Sequence, residues 1–139
     1  MKKLVFLLLF ATISICSFAQ SKFVAPNFSY VSKTTSYGVE AGLCYSDIWL
    51  SANYSYTPST KENYVGINLY NKITQDHKIS LQLVNSMQMN TNTQFVYYNP
   101  GGSIVYELSP LLSPQFTVSV PVIKGTVPVC SFSLMINFK

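Results

Sequence analysis

The side chains able to do acid–base, nucleophilic or metal chemistry are few. There is one histidine, His77, beside Asp76, and five acidic residues stand against nine lysines with no arginine. A histidine can serve as the base of a hydrolytic triad, but no serine and carboxylate can be assigned to His77 as one, so it reads as a solvated turn residue. Glu40 and Glu107 are carboxylates on the same type of strand face, and paired carboxylates can hydrolyse glycosidic bonds. Glu40 falls mid-strand and Glu107 near the end of a distant strand, which argues against cooperation. One histidine with the dispersed Cys44 and Cys130 supplies no zinc or iron set. The expectation is a non-enzymatic protein with no catalytic, cofactor or metal site.

The elements that carry these residues are strands. After Ala19 no segment shows apolar residues at helical spacing, whereas period-two alternation recurs from Tyr37 onward. In Tyr37–Tyr45 the odd positions are Tyr, Val, Ala, Leu and Tyr, and the even positions are Gly, Glu, Gly and Cys. The runs Ile48–Tyr56, Val65–Leu69, Ile79–Met89, Tyr98–Leu108, Phe116–Val122 and Phe132–Phe138 repeat this pattern. One face is apolar and the other small or polar. A weaker strand over Val24–Ser32, interrupted by Pro26, makes eight. Connections are expected at Ser46–Asp47, Asn71–Asp76 and Ser109–Pro114 on one side, and at Ser32–Ser36, Thr57–Asn63, Met89–Asn99 and Lys124–Thr126 on the other. The prediction is all-β: an antiparallel up-and-down barrel of about eight strands.

The first residues read as an export signal. Lys2 and Lys3 form a basic start, Leu4–Cys16 is mostly apolar, and Ser17-Phe18-Ala19 is a small-x-small cleavage site. The run is short of the roughly 20 residues a spanning helix needs. Residues 1–19 are thus expected to be a signal peptide and residues 20–139 a single β-barrel domain. That domain keeps seven lysines against the five acidic groups, and without arginine it lacks the side chain best suited to phosphates and base edges. Nucleic acid is not an expected partner. Cys44 on the polar face and Cys130 on the apolar face are not expected to bond.

Alternation alone does not separate a membrane barrel from a soluble sandwich or a lipocalin-like domain. The composition of the polar face does. A solvated face is usually rich in charge, but here it carries Ser, Asn, Gln and Gly, which suits a crowded lumen. On the apolar face Tyr37, Tyr54, Tyr56 and Tyr98 fall near one set of strand ends and Tyr45, Tyr106, Phe116 and Phe138 near the other, like two interfacial belts. Pro26 and Pro121 are expected to break ladders within strands.

The closing segment Phe132-Ser-Leu-Met-Ile-Asn-Phe138-Lys139 resembles the last strand of outer-membrane β-barrel proteins. Asn99–Pro110 followed by Phe116–Val122 looks like the final hairpin of transporter-like outer-membrane barrels. Eight strands match the small OmpA/OmpX-like size class. The resemblance implies the outer-membrane bilayer as surroundings and the barrel insertion machinery as a partner reading Phe132–Phe138, although the aromatic is penultimate here.

Within such a lumen the polar candidates are Glu40, Asn53, Asn68, Lys78, Gln82, Gln88 and Glu107. Lys78 and Glu107 are expected to form a lumenal ion pair. A structural or surface-interaction role is the first expectation, with an envelope protein as a possible partner. Transport of a small or apolar solute is the second, if Gly38, Gly42 and Gly66 leave space. Plugging by Trp49 and the glutamines would oppose it. A soluble secreted or periplasmic β-sandwich or lipocalin-like ligand-binding domain is the third.

Overall fold

The computed structural model describes residues 21–123 and 126–138. The expected signal peptide, Gln20, Lys124 and Gly125 of the Lys124–Thr126 connection, and Lys139 lie outside the described residues. The alternating runs form β1 (Ser21–Val31), β2 (Thr34–Tyr45), β3 (Ile48–Thr57), β4 (Glu62–Asp76), β5 (Ile79–Asn90), β6 (Val96–Tyr106), β7 (Leu112–Ser119) and β8 (Val129–Phe138). Each strand pairs antiparallel with the next, and β8 returns to β1 to close the barrel.

Because the strand count is even, Ser21 and Phe138 lie at one end, here the terminal end, together with the β2–β3, β4–β5 and β6–β7 turns. The other four connections form the loop end. The pleat sends successive side chains to opposite sides. In β4, Ile67 is 55% exposed on the outer wall while its neighbour Asn68 is 5% exposed in the lumen. The outside is therefore apolar and the inside largely polar, as the alternation predicted.

Several turns are tighter than expected, but the β7–β8 connection is longer, because β7 ends at Ser119 and β8 starts at Val129. Ser32 and Lys33 both have positive φ and alone join Val31 to Thr34, as a two-residue type I′ hairpin requires. The expected Asn71–Asp76 connection is strand. β4 continues past a register shift between Lys72 and Thr74 to the Asp76–Ile79 pair, leaving only His77 and Lys78 in the turn. A bulge breaks the alternation there, which hides the strand from a periodicity reading. The Met89–Asn99 loop contracts to residues 91–95 because the Asn90 side-chain oxygen accepts the amides of Asn92 (2.9 Å) and Thr93 (3.2 Å).

The prolines break less than expected. Pro26 keeps its pairing with Val39, and the β1–β8 ladder has a gap at Ala25 and Pro26 with the same register on both sides, so it marks no bulge. Pro121 lies beyond the end of β7. The flanking Val120 and Val122 amides donate to Pro100 and Tyr98 carbonyls, both at 2.9 Å, and Pro121 needs no donor between them. Pro114 sits inside β7, where the expected Ser109–Pro114 connection placed a turn. It pairs with Leu134, while the β6–β7 ladder stops at Gln115. Cys44 is buried, Cys130 is on the other face, and both are free thiols.

Candidate functional site

The lumen holds an apolar plug near the terminal end, flanked by the buried polar Ser80, Ser113 and Gln115. Near the terminal end Phe23, Ala25, Cys44, Val105 and Met135 form a buried apolar cluster against which Trp49 packs. The Phe23 and Trp49 ring centroids are 6.0 Å apart, and Trp49 stands 6.4 Å from Tyr70, within the usual range of aromatic contact. Side chains from β1, β2, β3, β4, β6 and β8 thus plug the barrel.

Directly above the plug sits Glu40, 4% exposed. Its Oε1 accepts from Tyr70 Oη (2.8 Å), Asn68 Nδ2 (3.0 Å) and Ser51 Oγ. No lysine pairs with it among the described residues. A buried carboxylate is expensive to leave bare, and three converging donors replace the water it has lost. Asn53 Nδ2 extends the network by donating to Asn68 Oδ1 at 3.3 Å. A second lumenal network runs across the seam opposite: Ser133 Oγ donates to Gln115 Oε1 (3.1 Å) and Gln115 Nε2 to Ser103 Oγ (2.8 Å).

From Glu40 and Tyr70 a cavity of about 330 Å³ rises to Ser32 and Thr60 at the loop end. Among the described residues Glu40 and Glu62 are its only charged lining, and Gln88, Asn53 and Asn68 also line it. Glu62 lies beyond the Tyr56–Asn63 pair, on the rim and outside the apolar band. It accepts from Thr60 (2.8 Å), Tyr64 (2.8 Å) and Asn90 (3.0 Å). The Thr60 bond first, then that of Tyr64, holds its carboxyl below the usual carboxylate range. Gln82 is buried lower in the barrel, and neither of its amide atoms has a partner among the described residues.

Two candidates leave the lumen. Lys78 is in the β4–β5 turn and Glu107 just past β6, both exposed. They meet through the main chain, where the Glu107 amide donates to the Lys78 carbonyl at 2.7 Å. The ion pairs of the described residues are Lys72–Asp47 (2.9 Å) and His77–Asp76 (3.6 Å), so the expected Lys78–Glu107 pair is absent. The parity reading put both on the inward face, but the ladder ends before it can aim them inward. His77 is exposed in its turn with φ 48°.

The glycines do not open the lumen either. A Cβ at Gly42 would stand 2.5 Å from Phe23, one at Gly38 2.6 Å from Asn27 Oδ1, and one at Gly66 2.7 Å from Asn53 Oδ1. Each glycine accommodates a side chain of the adjacent strand. Phe23 and Tyr70, which complete the plug and the Glu40 site, were not among the sequence candidates. Continuing the β4 alternation past Leu69 would have turned Tyr70 inward.

No family model and no curated protein matches the sequence. Solved structures do match the fold. A de novo designed transmembrane β-barrel superposes with a TM-score of 0.74 at 13% identity, over 86% of this chain and 97% of the other. The solution structure of the designed barrel TMB2.3 gives 0.72 at 13% identity, over 86% and 94%. The N-terminal β-barrel domain of Pseudomonas aeruginosa OprF gives 0.64 at 12% identity, over 86% and 98%. The chain therefore has the closed eight-stranded fold of small transmembrane β-barrels.

Proposed function

We propose that the chain spans the bacterial outer membrane as a non-enzymatic barrel with a structural or surface-interaction role. The observation that carries this reading is the outer wall. Val39, Leu50, Ile67, Leu83 and Ile104 all stand exposed on the outer faces of their strands, a wall that water would not tolerate over such an area. Tyr37, Tyr54, Tyr56 and Tyr98 are exposed towards the loop end, and Tyr106 and Phe138 towards the terminal end. From Tyr37 to Tyr45 a strand tilted near 40° rises roughly 20 Å, close to the ~25 Å apolar band of such barrels. Asn85, a polar residue on this wall, has its oxygen satisfied by the Tyr98 hydroxyl at 2.5 Å, as hydrocarbon surroundings demand.

Against a conduit stands the Phe23–Trp49–Met135 plug. An interior of eight strands is about filled by side chains, and here the filling is apolar where a solute would have to leave. The loop end and the terminal end correspond to the outside and the periplasm in this reading.

The test is fractionation of cell envelopes followed by gel migration with and without boiling. Detergent-dependent extraction with a heat-modifiable shift is expected. Release with the soluble periplasm, folded without detergent, would overturn the proposal.

A further inference from the structure

One row of lumenal side chains crosses four strands in register: Ser51 pairs with Asn68, Asn68 with Ser86, and Ser86 with Asn99. The first two positions are spent on the Glu40 carboxylate. The last two are not spent. Ser86 (6% exposed) and Asn99 (4% exposed) are buried and line the cavity, yet Ser86 Oγ and Asn99 Oδ1 have no hydrogen-bond partner among the described residues. Buried polar atoms without partners are rare and require an explanation.

The chemistry of the cavity selects the ligand. Asn99 Oδ1 can only accept, and so can an ionised Glu40 or Glu62. Among the described residues the lining holds two carboxylates and no lysine. A site that offers acceptors and negative charge wants a donor-rich cation, and a low-dielectric wall strengthens that preference. The volume, about 330 Å³, is that of roughly ten waters, enough for a small organic molecule.

We propose that the loop-end cavity binds a small organic ammonium ion bearing a second hydrogen-bonding group, held between the Glu40 carboxylate and the unpartnered Ser86 and Asn99 side chains. Glu62 at the rim attracts it, and the plug below prevents its passage. The site acts as a receptor pocket rather than a step in transport. This goes beyond the membrane reading and does not depend on it.

The test uses the full folded chain in detergent micelles, titrated with protonated 3-amino-1-propanol. Its neutral and anionic analogues, 1,3-propanediol and 3-hydroxypropionate, serve as controls. Backbone amide shifts of Asn68, Ser86 and Asn99 are followed by NMR. The amine is expected to shift them saturably and the two analogues not to. Glu40→Gln and Asn99→Ala should each weaken binding by about tenfold, the scale of one charge-assisted hydrogen bond, and Glu62→Gln by less. The dispersion of each variant's amide spectrum reports folding separately, and Asn99→Ala stands alone if Glu40→Gln does not fold. Equal shifts from the diol or the acid, no saturable shift from the amine, or undiminished binding in folded Asn99→Ala would overturn the proposal.

Discussion

Phe23 and Gly42 face each other across β1 and β2, and the ring of the first occupies the space in which a side chain of the second would stand. The absence of a Cβ is what lets an aromatic lie flat in a lumen this narrow. A methyl group at 42 would meet two ring carbons at 2.5 and 2.6 Å and the Leu50 carbonyl at 2.7 Å. Gly42→Ala is therefore expected to destabilise the barrel by about 1–3 kcal/mol, the usual range for overpacking. The midpoint of heat-modifiable migration measures it, and an unchanged midpoint would show that Phe23 has another place to go.

Removing the plug should change permeability rather than fold. In the double variant Phe23→Ala, Trp49→Ala two of the aromatic components of the plug are lost, and the loop-end cavity should extend towards the terminal end. The expected result in planar bilayers is a small steady ion conductance, absent from the unsubstituted protein. If both proteins are equally tight, Met135 and Tyr70 suffice as the seal.

The outer wall offers a direct reading of its surroundings. Ile67→Lys places a charge at mid-strand on the face 55% exposed at that residue. In a bilayer this is expected to destabilise by about 2–4 kcal/mol, measured by urea unfolding in liposomes. A neutral or stabilising effect, with better solubility, would mean that this face meets water.

The Tyr70 hydroxyl is one of three donors to Glu40 Oε1. Tyr70→Phe retains the ring next to Trp49 and deletes only that donor. A loss of about 1.5–3 kcal/mol is expected, as for hydrogen bonds to charged groups. Repeating the substitution in a Glu40→Gln background should reduce the loss, and an equal loss in both backgrounds would assign the effect to something other than the carboxylate.

Parity along a strand was legible wherever the alternation was clean: Glu40, Asn53, Asn68, Gln82 and Gln88 were assigned inward, and Tyr37, Val39 and Ile67 outward, from residue types alone. The exact ends of the ladders were not legible. Lys78 and Glu107 share the inward parity but stand past the last ladder pairs of β5 and β6, and only the register reveals where a ladder stops. Cross-strand neighbours were equally hidden. That Gly38, Gly42 and Gly66 would be covered by Asn27, Phe23 and Asn53 depends on pairings between strands, which composition does not encode. Tyr70 was missed because the polar stretch Asn71–Asp76 reads as a turn, whereas the β4 bulge lets the strand run on through it.

The closure of β1 on β8 bears on how the molecule comes to be folded. Seven of the eight pairings join strands adjacent in the chain, and each can zip from its own turn. The eighth brings Lys22 to Phe138, almost the whole length of the described chain, and carries the largest single loop-closure cost. Until β8 is made, β1 and β7 remain open edges able to pair with another copy. Shielding those edges until the final strand arrives is thus the main kinetic demand this topology places on the cell.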